Sequence, residues 1–251
     1  MLEFRAVCKK FGEKNVVLRD LDLEINRGEI HFLVGASGVG KSVTIKLVIG
    51  LLRVDSGQIW LDGQRIDTLT EAGFYPVRKK CAMVFQNSTL FDSMSVVDNV
   101  ALPLRKHQRL SEAQAQQTAL NYLREVGMDS YAGYLPATLS DGMRKRVAIA
   151  RAMTLKPEVL LFDEPTTGLD PVSARRVDDL ISTLGRGRGI TCVVVSHDLT
   201  SIRSVASRIS LLYQGRVRFG GTPTEFEHCD DPIVTQFRTG SAEGPMETPG
   251  Y

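Results

Sequence analysis

The stretch IHFLVGASGVGKS, Ile30–Ser42, runs from a short apolar segment directly into a glycine-rich loop and then into a helical pattern over Lys41–Leu51. Its loop, Gly35-Ala36-Ser37-Gly38-Val39-Gly40-Lys41-Ser42, fits G-x-x-x-x-G-K-[ST] in the setting that gives the pattern meaning, after a strand and at the start of a helix. Glycines there let backbone N–H groups wrap phosphate oxygens, a lysine reaches the outer phosphates, and the serine hydroxyl suits a magnesium ion. The spacing is not G-x-G-x-x-G, which disfavours a dinucleotide site.

Working outward, CAMVF (Cys81–Phe85), VLLF (Val159–Phe162) and ITCVVV (Ile190–Val195) repeat the nearly continuous apolar character of Ile30–Val34. Strands of that kind are buried on both faces, as in a parallel sheet covered by helices. Leu18–Ile25 and Gln58–Gly63 alternate instead, predicting antiparallel strands with one solvated face. Further helical patterns fall at Ser95–Leu104, Ser111–Val126, Met143–Thr154, Pro171–Leu184 and Leu199–Val205. Between about Ser88 and Gly142 no good strand candidate occurs, which reads as a helical insertion dividing the α/β pattern. The end, RTGSAEGPMETPGY, is rich in glycine, proline and small polar residues and reads as loop or tail.

At 251 residues with 43% hydrophobic side chains, the chain buries a full core without a metal or disulfide staple. A net charge of +2 gives no broad nucleic-acid surface. Cys8, Cys81, Cys192 and Cys229 are far apart and form no C-x-x-C pair, so they read as mostly buried thiols in a reducing compartment. No run approaches the roughly 18 apolar residues of a membrane span, and the first residues do not resemble a signal peptide. The expectation is a soluble cytoplasmic protein, unless a partner holds it to a membrane.

Two acids close the apolar run Val159–Phe162. At the carboxyl edge of a parallel strand, where open α/β sheets bind ligands, Asp163 is placed to hold magnesium through its water shell and Glu164 to polarise an attacking water. His197 follows another such strand, suited to a hydrogen bond with a terminal phosphate or the water. LSDGMRKRVAIARA, Leu139–Ala152, has two readings. One is a plainly N-capped helix; the other is a helix N-terminus facing an anion.

The phosphate loop, Gln86 after CAMVF, LSDGM with its helix, LLFDEP, TGLD (Thr167–Asp170) and SHD (Ser196–Asp198) occur in the order and spacing of the nucleotide-binding subunit of ATP-binding cassette (ABC) transporters. The chain resembles that family over about residues 1–228. The resemblance implies an α/β fold: a P-loop NTPase (RecA-like) core with a parallel sheet, an N-terminal antiparallel β-subdomain and an inserted α-helical subdomain at about 88–142, followed by a C-terminal tail at 229–251. It implies ATP and Mg2+ as ligands and ATP hydrolysis as the activity. Phe11 would stack on adenine, unless it is a core or turn aromatic. Gly35, Ala36, Ser37, Gly38, Val39, Gly40, Lys41, Ser42, Val43 and Gln86 would bind nucleotide. Ser42, Gln86 and Asp163 would hold the metal, and Glu164 and His197 would be catalytic. Ser140 and Gly142 would contact ATP bound to a second copy of the chain, with Asp170 touching that copy.

Met143 closing the signature, the segment Arg78–Leu104 and the tail QFRTGSAEGP (Gln236–Pro245) further resemble the ATPases of MCE-type lipid transporters, the group that includes bacterial Mla phospholipid systems. Importers of amino acids or other small solutes share VFQ and a helical insertion, and form the alternative. A cytosolic ABC protein acting on ribosomes or DNA is disfavoured, since two cassettes or long inserted arms are missing. The resemblance implies an integral-membrane permease as partner, possessing MCE-type and regulatory companions in the lipid group, and a peripheral place on the cytoplasmic face of the inner membrane. Leu90, Phe91 and Met94 are apolar residues in a polar stretch, either the groove that receives a permease helix or the insertion's own core. Asp141 departs from the family, most of whose members carry glycine there, and brings a carboxylate close to a loop assigned to a phosphate.

Overall fold

The computed structural model describes residues 1–12 and 15–246. Strands β1 (Leu2–Phe11), β2 (Asn15–Ile25), β4 (Ser56–Leu61) and β5 (Gln64–Arg65) form an antiparallel sheet in the order β2-β1-β4-β5. A second sheet takes the order β10-β9-β3-β8-β7-β6, from β3 (Ile30–Val34), β6 (Cys81–Val84), β7 (Val159–Asp163), β8 (Thr191–Val195), β9 (Arg208–Tyr213) and β10 (Arg216–Gly221). Pairing is parallel from β9 through β3, β8 and β7 to β6; only β10 runs antiparallel, as a hairpin partner of β9. Helices are α1 (Lys41–Val48), α2 (Phe74–Lys80), α3 (Val96–Gln108), α4 (Glu112–Glu125), α5 (Asp141–Met153), α6 (Pro171–Ser182), α7 (Leu199–Val205), α8 (Pro223–Glu227) and α9 (Pro232–Thr239).

The continuous apolar strands are buried on both faces. Phe32 and Val34 face a core built with α5, α6, α7 and α9, while their neighbour Leu33 faces a core built with α1, β1, β2 and β4. Successive strand residues point to opposite faces, so a strand covered on both sides has no polar register to show. The helical stretch keeps a smaller core of its own, Val100, Leu104, Ala119 and Leu123 against Val147 and Ala150 of α5. Helix α5 therefore belongs to two cores.

Several elements lie outside the patterns read from sequence. β1 is broken by register shifts around Val7 and Lys9, with Ala6 at φ 46°, and so lost its alternation. β5, β9, β10, α2, α8 and α9 also lie outside those patterns. The fold continues beyond residue 228, where the tail was expected: Asp231 caps α9, Pro232 opens it, and Ile233 and Val234 are buried in the larger core. Met246 packs against the same core. Helix α1 stops at Val48, short of the expected Leu51. Cys81 and Cys192 are buried, which pushes both thiols up to about 12, while Cys8 and Cys229 are partly buried; all four are free.

Helices α6 and α7 meet through a buried acid. Asp178 accepts a hydrogen bond from Ser201 Oγ at 2.9 Å, and Ser201 Oγ also lies 3.0 Å from Asp198 Oδ2. Oδ1 of Asp178 is buried without a partner. Burial pushes this carboxyl up to about 6, aided by the Asp198 charge and opposed by Ser201 and Arg175. The folded state thus binds the proton more tightly than the unfolded chain. Stability is lowered by about 3 kcal/mol above the folded pKa and recovers as pH falls through 6 towards 3.8. Asp178→Asn keeps the Ser201 bond and removes the charge. Its melting temperature should exceed that of the parent by several degrees at about pH 8, with the gain shrinking at about pH 5. A gain independent of pH, or none, would contradict this account.

Candidate functional site

Four parallel strands deliver the site from their carboxyl ends. After β3, the loop Gly35, Ala36, Ser37, Gly38, Val39, Gly40 turns into α1, with Lys41, Ser42 and Val43 in the first turn. Gly40 caps that helix at φ 112°, and a Cβ there would stand 2.7 Å from Leu18 Cδ2 of β2, so only glycine fits. Lys41 is buried, its ammonium donating to the carbonyls of Gly35 and Ala36 at 2.8 Å each. Burial holds it below the usual lysine value, with Glu164 and Asp163 pulling the other way.

Ser42 Oγ donates to Asp163 Oδ1 at 2.5 Å, and Lys46 Nζ lies 3.5 Å from the other carboxylate oxygen. Asp163 ends β7 fully inside the protein. Glu164 follows with its backbone left-handed at φ 48°, its N–H donating to Val195 O of β8 at 3.0 Å. Its carboxylate accepts from Thr167 Oγ1 at 3.0 Å and stands 3.6 Å from His197 Nδ1, beyond direct hydrogen bonding but within ion-pair reach. His197 is exposed, and so is the Gln86 side chain beyond β6.

A second cluster forms where α5 and α6 begin. Ser140 caps α5 by accepting from Met143 N at 3.4 Å. A Cβ on Gly142 would meet Ser173 Cβ at 2.8 Å, so the missing side chain lets the two helix starts approach. Asp170 caps α6, accepting from the N–H groups of Val172 and Ser173 at 3.0 Å, and hydrogen bonding with Ser173 holds its carboxyl below the usual range. Asp141 is paired with Arg144 of its own helix, a neighbour that offsets the charge beside the loop. A cavity of about 290 Å³ opens here, lined among others by Tyr131, Ser140, Arg146 and Arg176. Phe11 lies apart on the β1–β2 hairpin, exposed, with Lys9 Nζ 5.4 Å from its ring centre. It is not a core aromatic.

A glycine-rich loop at a helix start, a partly buried serine–aspartate pair and a glutamate beside a histidine thus share one sheet edge. The sequence profile of the family described as ABC transporter matches residues 18–167. The chain belongs to the ABC transporter family. This ABC cassette is 38% identical over 246 residues to the intermembrane phospholipid transport system ATP-binding protein MlaF of Escherichia coli (strain K12), covering 98% of this chain and 91% of that protein. It is 35% identical over 245 residues to the probable ribonucleotide transport ATP-binding protein mkl of Mycobacterium leprae, covering 98% and 70%. Among solved structures, the dimeric post-hydrolysis state of the ATP-binding cassette MJ0796 bound to ADP and Pi superposes with a TM-score of 0.82 at 30% identity, covering 89% of this chain and 99% of that one.

Two basic residues of the cassette's α5 escaped the sequence reading. Lys145 is buried and donates to the carbonyls of Phe85, Gln86 and Glu164. Arg151 donates to Thr89 O at 2.9 Å and Ser88 O at 3.2 Å. The run Arg144-Lys145-Arg146 offers three cations in a row and no pattern that says which one turns inward.

Proposed function

We propose that this ATP-hydrolysing ABC subunit drives phospholipid movement by a membrane permease, working as a pair of cassettes closed by ATP. The observation that carries the lipid reading is the 38% identity to MlaF across 98% of the chain. Residues 1–228 are assigned to the cassette, about 88–142 to its helical subdomain and 229–251 to a C-terminal segment. The pair would sit on the cytoplasmic face of the inner membrane, held by the permease, and MCE-type subunits would belong to the same assembly. Among the described residues no helix is long and apolar enough to cross a membrane.

In each site the loop from Gly35 to Gly40 would cradle the phosphates with its N–H groups, while Lys41 turns from its carbonyls to the outer phosphates. Phe11 would stack on adenine, and Val43 would lie behind the loop. Ser42, Asp163 and Gln86 fit magnesium by their chemistry, since hard oxygens from a few side chains plus phosphates and waters suit that ion better than an all-protein cage. Among the described residues no group of three His, Cys, Asp or Glu forms such a cage. The ion would neutralise charge developing on the phosphates. Glu164 would take the proton of the attacking water, and His197 would hydrogen-bond the terminal phosphate. Ser140 and Gly142 of one cassette would contact the nucleotide on the other, and Asp170 would meet the facing chain.

The permease groove is assigned to the stretch after Gln86. Phe91 is 51% exposed, with the Arg151 guanidinium 6.0 Å from its ring, whereas Leu90 packs against the core. The test is purification of the native complex from gently solubilised membranes. A permease, an MCE-domain subunit and phospholipid should co-purify, and Phe91→Ala should cut recovery of the permease several-fold without changing ATP binding by the cassette. A solute-binding protein in place of lipid would favour a small-solute importer, and absence of any membrane protein would sink the transporter reading.

A further inference from the structure

Among the described residues, Lys145 joins parts of the molecule that the proposed mechanism treats separately. It lies on α5, shortly after the Ser140–Gly142 tip, and is only 3% exposed. Its ammonium has three protons and three carbonyl partners: Gln86 O, Glu164 O at 3.3 Å and Phe85 O at 3.4 Å. Two of these belong to the residues assigned to the water and the metal. Glu164 keeps a left-handed backbone at φ 48°, a conformation that a residue with a side chain holds only where its surroundings impose it.

We propose that Lys145 is a positioning residue for hydrolysis, fixing the backbones of Glu164 and Gln86 and tying their geometry to the helix whose tip contacts the partner cassette's nucleotide. This rests on the roles given above to Glu164, Gln86 and the α5 tip. A buried ammonium is a costly way to fill space, since an apolar side chain would fill it without desolvating a charge. What the ammonium supplies is a single donor group that reaches three carbonyls from two different loops. Burial lowers its pKa to about 8, opposed by Asp163 and Asp141 and by Glu164. The two sites of a dimer are thereby linked within each chain: the helix that reads one nucleotide holds the water-activating backbone beside the other.

The test compares Lys145→Met, Lys145→Gln and Lys145→Arg in the full-length chain, with Glu164→Gln as reference. Lys145→Met should melt within a few degrees of the parent and keep its KM for ATP within about twofold. Its kcat should fall at least tenfold. Lys145→Arg, which keeps a charge and several donors, should recover most of the lost kcat. Should the methionine variant fail to fold, Lys145→Gln supplies the same comparison, with a fall in kcat at constant KM expected. A kcat within twofold of the parent in the folded neutral variant, or a loss that arginine does not recover, overturns the proposal. Retained turnover in Glu164→Gln would instead reject the reading of the site beneath it.

Discussion

Glu164→Gln should lower ATP turnover by about 100- to 1000-fold while leaving ATP binding intact, so that an ATP-bound pair of cassettes accumulates. The amide preserves size and can still accept from Thr167, whose hydroxyl holds the carboxylate at 3.0 Å. Its backbone requirement is also met, because glutamine adopts the φ 48° of Glu164 no less readily than glutamate. What disappears is the base: a neutral amide does not take a proton from water, and general-base catalysis contributes about 100- to 10,000-fold. Single-turnover hydrolysis, nucleotide binding and gel filtration with ATP measure the three consequences. Near-normal turnover would reject the assignment, and so would loss of binding in a folded variant.

Lys41→Ala is expected to fail one step earlier. The ammonium is buried and already holds two loop carbonyls, so it is poised to exchange them for phosphate oxygens. Hydrogen bonds to charged groups contribute about 1.5–3 kcal/mol each. Losing two should weaken ATP binding by about 100-fold or more, taking both turnover and ATP-driven pairing with it. Thermal stabilisation by added ATP reports this directly, because a ligand at free concentration L stabilises the fold by RT ln(1 + L/Kd), which vanishes once the ATP concentration lies well below Kd. The parent and Glu164→Gln should melt higher with ATP, and Lys41→Ala should not. An undiminished thermal response in Lys41→Ala would show that the lysine does not bind nucleotide.

Sequence carried the parallel core because Phe32, Leu33 and Val34 are apolar whichever face they address. It carried the acids for the same reason, since Asp163 and Glu164 interrupt an apolar run at the point where the strand must end. β1 was illegible because its bulges break the period of two. β9 carries Ser210 among its apolar residues, a serine explained only by the buried His31 that lies 2.9 Å from its hydroxyl. Helix α9 had a usable signal in Asp231-Pro232, a cap followed by a first-turn proline, set in a stretch whose composition reads as tail. Of the two readings of Leu139–Ala152, the N-cap is seen directly in the Met143 N–H that Ser140 accepts at 3.4 Å, and that cap leaves the helix tip open to the anion-facing role proposed above. Lys145 carries no such signal, because only the packing of α5 against two cores sends it inward while Arg144 meets Asp141 and Arg146 meets the carbonyl of Val126.

Helix α5 also has the proportions of a lever. At about 1.5 Å of rise per residue, Lys145 stands roughly 7 Å along the axis from the Ser140 tip and Arg151 roughly 16 Å. If the tip is held against a nucleotide and the rod tilts by about 10°, simple arc geometry moves the first position by roughly 1 Å and the second by nearly 3 Å. The first displacement is comparable to the slack in a hydrogen bond; the second exceeds it. Lys145 grips the carbonyls of Gln86 and Glu164, and Arg151 grips Ser88 and Thr89, next to exposed Phe91. Such gearing would shift the carbonyls held by Lys145 by about the play of a hydrogen bond while carrying Ser88 and Thr89 much further.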